Sequence, residues 1–145
     1  MKMLVLDANI LMRAVLGKGA RALLAKYGER SGFVAPDVAF DEARRRLPQV
    51  IERRKLQEEP FMAYFDALAE VVQTVEFEVY SGFEAIARQR LARRDEDDWP
   101  VLAAALALGY PIWTEDIDFF GCGVATWTTD RVELYLAGSD APSRS

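Results

Sequence analysis

The chain has 145 residues, 51% of them apolar, and a net charge of −5, which predicts one folded domain with a sizeable core and argues against a chain disordered as a whole. It contains no histidine and a single cysteine, Cys122; this removes Ser-His-Asp and Cys-His nucleophile systems, a histidine base, zinc on His or Cys, and an internal disulfide framework. No apolar run approaches the roughly 18 residues of a membrane span, and the first residues lack the pattern of a signal peptide, so a soluble cytoplasmic protein with no membrane partner is expected.

Met1 to Asn9 (MKMLVLDAN) reads as a short buried strand ending on an acid, because the apolar run Met3–Leu6 is followed at once by Asp7 and Asn9. A continuous apolar run of this length fits a strand covered on both faces, as in a parallel sheet. Ile10–Leu16 and Ala20–Tyr27 read as helices stopped by Gly17 and Gly28. Gly32–Pro36 is a second strand. Asp37 is then expected to cap a long helical stripe through Val38, Phe40, Ala43, Leu47, Val50 and Ile51, with Pro48 predicting a kink or break. Pro60–Val72 is a further amphipathic helix, and Gln73–Glu78 a third strand. Gly82–Arg94 reads as helix, followed by the acidic run Asp95–Asp98. Pro100–Leu108 is apolar on all sides and so predicted buried, and Gly109 ends it. Pro111–Thr114 and Gly123–Thr126 are the fourth and fifth strands. Thr128–Leu136 closes the domain as a helix, and 138–145 (GSDAPSRS) reads as a disordered tail.

Strands alternating with helices predict a three-layer α/β/α fold around a parallel sheet of about five strands. The first strand is expected at its centre, flanked by the strands whose ends deliver Glu42 and Asp116. In open α/β sheets, chemistry collects beyond the carboxyl ends of the strands. Asp7 lies at the end of strand one. Glu42 follows strand two by about a turn of helix, Asp98 opens the buried Ala-rich helix, and Asp116 follows strand four. Such a cluster of carboxylates is unfavourable unless a cation fills it. Oxygen ligands of this kind suit Mg²⁺ or Mn²⁺, and such an ion can drive phosphodiester hydrolysis without histidine.

Asp7-Ala8-Asn9 after an apolar strand, the internal Glu42, Asp98 opening DWPVLAAAL, and Thr114-Glu115-Asp116 followed by Asp118-Phe119 resemble the motifs of the PIN domain family. The resemblance spans Met1 to about Leu136, consistent with one nuclease domain over 1–137. It implies a metal-dependent endoribonuclease leaving 5′-phosphate and 3′-hydroxyl ends, a homodimer, and in many members the toxin of a type II pair held by a small antitoxin protein. It also implies that Asp7, Glu42, Asp98 and Asp116 are the catalytic acids, with Asp7, Asp98 and Asp116 on the metal. Asn9 would orient Asp7, Thr114 would support the site, Asp118 would be a fifth acid, and Asp95 would stand behind them. Asp41 adjoins Glu42 and remains an alternative to it. Among the four acids before Trp99, Asp98 directly abuts the buried helix.

Each of these residues has a plainer role open to it. Asp7 suits a strand-end turn. Glu42 sits three and four residues before Arg45 and Arg46, the spacing of a surface ion pair. Asp98 suits a helix N-cap ahead of Pro100, and Asp116 suits the cap of a short helix. Arg45, Arg46, Arg93 and Arg94 are candidates for RNA contact, against the alternative of a solvated helix face. Trp113 and Trp127 read as core or interface rather than base-stacking residues. Two rival functions stand beside the nuclease. A phosphatase of the haloacid-dehalogenase type needs Asp-x-Asp after the first strand, where this chain has Asn9. A PIN-like nucleic-acid-binding module without catalysis would not need the intact set of acids.

Overall fold

The first strand, β1 (Lys2–Leu6), is the middle of the sheet. Leu4, Val5 and Leu6 have no solvent exposure, as the unbroken apolar run requires. In the computed structural model, which describes residues 1–138, the five strands are all parallel in the order β3-β2-β1-β4-β5. The others are β2 (Ser31–Pro36), β3 (Val72–Val75), β4 (Ile112–Trp113) and β5 (Thr126–Trp127). The expected tail, apart from Gly138, lies outside the described residues.

Eight helices connect the strands among the described residues: α1 (Ala8–Leu16), α2 (Gly19–Tyr27), α3 (Asp37–Arg53), α4 (Glu58–Leu68), α5 (Phe77–Tyr80), α6 (Glu84–Arg90), α7 (Trp99–Leu108) and α8 (Val132–Leu136). Side chains alternate across a strand, so the sheet divides the core in two. Leu4, Leu6, Phe33 and Trp113 pack with α1 to α4 and α8. Val5, Val34 and Ile112 pack with α5 to α7. The expected three-layer α/β/α fold is present. No helix among the described residues is long and apolar enough to cross a membrane.

Local features depart from the sequence reading. α3 runs through Pro48 to Arg53 without a break. Pro48 removes one backbone donor, but Leu47 and Ile51 on either side are buried and hold the helix against the core. The position capping α3 is Pro36, and Asp37 is its first helical residue. The helix expected over Gly82–Arg94 begins with a 3₁₀ turn, Ser81–Phe83, and ends at Arg90. Arg94 lies past that end, where its guanidinium donates to the Asp118 and Phe120 carbonyls. The fifth strand falls at Thr126–Trp127 rather than Gly123–Thr126, because Gly121 and Gly123 take φ of 82° and 92° and turn the chain before it can pair with β4. The closing helix starts at Val132; Thr128 to Arg131 form the turn that leads into it.

Candidate active site

The register of the sheet brings the first acid to its partner. β1 and β4 pair with Leu6 beside Trp113, so Asp7 and Thr114 leave the sheet side by side. Asp7 caps α1: its Oδ1 accepts from the Ile10 N–H at 3.0 Å, and its Oδ2 accepts from the Thr114 hydroxyl. Thr114 is fully buried, and its Oγ1 also accepts from the Asp116 N–H at 2.9 Å. Asp116 Oδ1 in turn accepts from the Asp118 N–H at 2.9 Å, capping the 3₁₀ turn Ile117–Phe119. A chain of side-chain hydrogen bonds thus fixes the loop after β4 against the end of β1.

The third segment is the start of α7. Asp98 occupies the capping position, yet its side chain makes no capping hydrogen bond. Its Oδ2 is buried and has no hydrogen-bond partner among the described residues. One carboxylate oxygen from each of Asp98, Asp116 and Asp118 lies within 4.8 Å of the others. Burial first, and then the Asp116 carboxyl and the Asp95 charge, push the Asp98 carboxyl well above the usual carboxylate range. Burial also pushes Asp7 up to about 6, against the hydrogen bonds from Thr114 and Ile10 that favour its charged form. Acids packed without cations carry the cost that both shifts express. An unpartnered buried oxygen among carboxylates is what an oxygen-ligated divalent cation would satisfy, so the residues present fit such an ion.

The sequence candidates divide on this geometry. Asp98 and Asp116 meet directly. Asp118, expected in a supporting role, meets them as closely, while Asp7 is joined to Asp116 through Thr114. Glu42 lines the same cleft as Asp7 and Asp98, a cavity of about 450 Å³, and its charge is among those that raise Asp7. Asp41 lines that cleft as well. Glu42 Oε2 accepts from Arg46 at 3.0 Å, and the same Arg46 nitrogen donates to Asn9 Oδ1 at 3.3 Å. Asn9 is therefore bonded to α3, and the partners of Asp7 are Ile10 and Thr114. Asp95 is exposed and caps the turn Glu96–Asp98 through the Asp97 N–H at 3.0 Å. Of the basic candidates, Arg45 lines the acidic cleft, Arg46 bridges Glu42 and Asn9, Arg94 holds the loop after β4, and Arg93 is exposed. Cys122 is buried, with its thiol toward the Val124 carbonyl.

A second cavity of about 650 Å³ adjoins the first, sharing Asn9 and reaching Asp116. It holds Arg13, Lys18 and Arg54, and the first cleft holds Phe77. The sequence alone does not single out Arg13, Lys18 or Phe77, and it places Arg54 only within a run of basic residues along a helix. Arg13 reads as part of an ordinary helix, Lys18 as part of a turn between two helices, and Phe77 as part of the expected third strand, whereas the structure places Phe77 at the start of α5.

The PIN domain family model matches residues 5–137. The chain belongs to the PIN domain family. PIN domains are in general nucleases and typically use divalent metals. No curated protein sequence matches this one. Among solved structures, the PIN fold recurs in VapBC2 from Rickettsia felis, bound to a DNA fragment from its promoter. That match has 12% identity and a TM-score of 0.66, covering 87% of this chain and 98% of the other. PAE2754 from Pyrobaculum aerophilum is similar at 15% identity and a TM-score of 0.66, over 96% and 91%. VapBC-1 from nontypeable Haemophilus influenzae is similar at 15% identity and a TM-score of 0.55, over 89% and 99%. At these identities the likeness is one of fold.

Proposed function

We propose that this PIN domain is a metal-dependent endoribonuclease with Asp7, Asp98 and Asp116 as metal ligands, joined by Asp118 and with Glu42 at the rim. The observation that carries the reading is the buried, unpartnered Oδ2 of Asp98 beside Asp116 and Asp118. A bound Mg²⁺ or Mn²⁺ would polarise a phosphoryl oxygen and supply nucleophilic water at neutral pH without a histidine. The chain's own residues prepare the site. Thr114 holds Asp7 and the Asp116 backbone in one arrangement, and Arg46 ties Glu42 to Asn9 across the entrance. Arg45 stands exposed on the cleft wall, where it can meet a phosphate. Hydrolysis puts the water oxygen on phosphorus and leaves 5′-phosphate and 3′-hydroxyl ends. The 2′-hydroxyl takes no part, so the preference for RNA rests on the family.

Membership in the family, together with a fold shared with two VapBC complexes, supports a role as the toxin of a toxin–antitoxin pair. It would act in the cytoplasm as a homodimer restrained by a small antitoxin protein. The exposed apolar side chains Val79, Phe83 and Ile86 offer a surface for association. The test is cleavage of single-stranded RNA in Mn²⁺. Asp98→Asn and Asp116→Asn should each lower the rate by roughly a hundredfold or more while leaving the fold intact. Full activity in EDTA would overturn the assignment. Growth arrest on expression, relieved by the same substitutions, tests toxicity.

A further inference from the structure

We infer that a single strand of nucleic acid lies across the acid cluster, with an unpaired base stacked on Phe77 and the adjoining backbone held by Arg13, Lys18 and Arg54. The inference rests on the nuclease reading for what happens at the acids, and on the two clefts for how the strand is held.

The acidic cleft has an aromatic wall. Phe77 opens α5 and is 47% exposed, yet its ring is not free. It meets Tyr80 edge-on at 5.6 Å and Trp99 edge-on at 6.4 Å. Tyr80 is fully buried and its hydroxyl donates to Asp37. Trp99 packs on Tyr80 at 5.7 Å and carries the Arg88 guanidinium 5.4 Å from its ring centre. Two anchored aromatics therefore hold a third, apolar ring at the wall of a cleft that also contains Asp7 and Asp98. A rigid exposed ring loses little entropy when a base stacks on it, and any of the bases can do so.

The second cleft has the opposite character. Arg13 comes from α1, Lys18 from the turn between α1 and α2, and Arg54 from the end of α3. All three are exposed, and none has an ion-pair partner among the described residues. The acids of this cleft, Glu115 and Asp116, come from the loop after β4. Glu115 is already occupied by the Thr129 N–H at 2.7 Å. Unpaired cations converging on a cleft in a chain of net charge −5 are complementary to a polyanion. Asn9 lines both clefts, so they meet beside the acids, and a strand that fills both must pass over the cluster. A base inside a duplex has both faces covered by its stacked neighbours and none free for Phe77, so the occupant is single-stranded.

The test is fluorescence anisotropy of the full chain with a short labelled single-stranded oligoribonucleotide, in EDTA so that no strand is cut. The triple variant Arg13→Ala, Lys18→Ala, Arg54→Ala should flatten the log–log salt dependence of binding by about 2, from three contacts at roughly 0.7 each. Phe77→Leu should weaken binding by roughly tenfold with an unchanged salt slope, and Phe77→Trp should retain it. A duplex of the same sequence should not distinguish Phe77→Leu from the wild type. An unaltered slope in the triple variant, wild-type affinity in Phe77→Leu, or no binding by the wild type at low salt would each overturn the inference. These readouts need no cleavage. Binding with these signatures by a protein that cuts nothing would remove the nuclease reading and leave this one standing.

Discussion

Asp7 is buried and Asp98 half-buried with its Oδ2 enclosed, and they bear the cost differently. Asp7 is fully bonded, with Ile10 on one oxygen and Thr114 on the other; Asp98 Oδ2 has no hydrogen-bond donor among the described residues. The folded protein holds a proton on Asp7 up to about pH 6, whereas its ordinary value is 3.8. The stability this proton contributes is present below pH 3.8 and is lost as the pH rises through 6. Asn at this position keeps an acceptor for Ile10 and never ionises. In metal-free buffer, Asp7→Asn should therefore gain on the wild type between pH 4 and pH 7, by up to about 3 kcal/mol. Lost or re-aimed hydrogen bonds shift the whole difference by a constant, so its slope with pH is the quantity to measure, by thermal melts of both proteins. A flat difference would mean that Asp7 is charged at no cost. The positions of Asp7, Asp98 and Asp116 were legible because Asp7 and Asp116 follow apolar strands and Asp98 opens an apolar helix. Their bonding was not, since a side chain's partner across the sheet leaves no trace in its own segment. Asn9 is the example: the family resemblance implied that it orients Asp7, and the fold bonds it to Arg46.

Long apolar runs showed where the elements lie, and short polar ones misled. β2 and α7 fall within a residue of their expected bounds, and β1 contains the whole apolar run Met3–Leu6 but ends before Asp7. β5 was displaced because pairing with β4, rather than its own composition, decides which two residues are strand. Pro48 is the sharpest disagreement between local preference and packing. Its ring and missing N–H oppose the helix, and the buried stripe of Ala43, Leu47 and Ile51 overrides them. Pro48→Ala would restore the donor to the Arg44 carbonyl without touching that stripe. Stability should rise by about 1–3 kcal/mol, read from urea unfolding. A loss would show that the proline ring itself packs against the core.

The acids reach the site from parts of the chain far apart in sequence: the end of β1, the start of α7 and the loop after β4. The strand order that unites them was legible, because a central apolar first strand leaves few alternatives. The two clefts were not, because each is lined from several elements at once. A cation held by Asp98, Asp116 and Asp118 would bridge segments that unfolding separates, so its binding energy would count toward the whole fold. At a hundredfold excess over its dissociation constant, Mn²⁺ should stabilise the wild type by about 2.7 kcal/mol. EDTA should reverse the gain. Asp98→Asn, which loses a charged ligand, should melt at nearly the same temperature with or without the ion. Its metal-free melting temperature should equal or exceed that of the wild type at neutral pH, because the variant no longer buries an ionisable oxygen beside two other carboxyls. Equal stabilisation of the two proteins by Mn²⁺ would place the ion elsewhere on this acidic surface and leave the unpartnered oxygen of Asp98 without the role assigned to it.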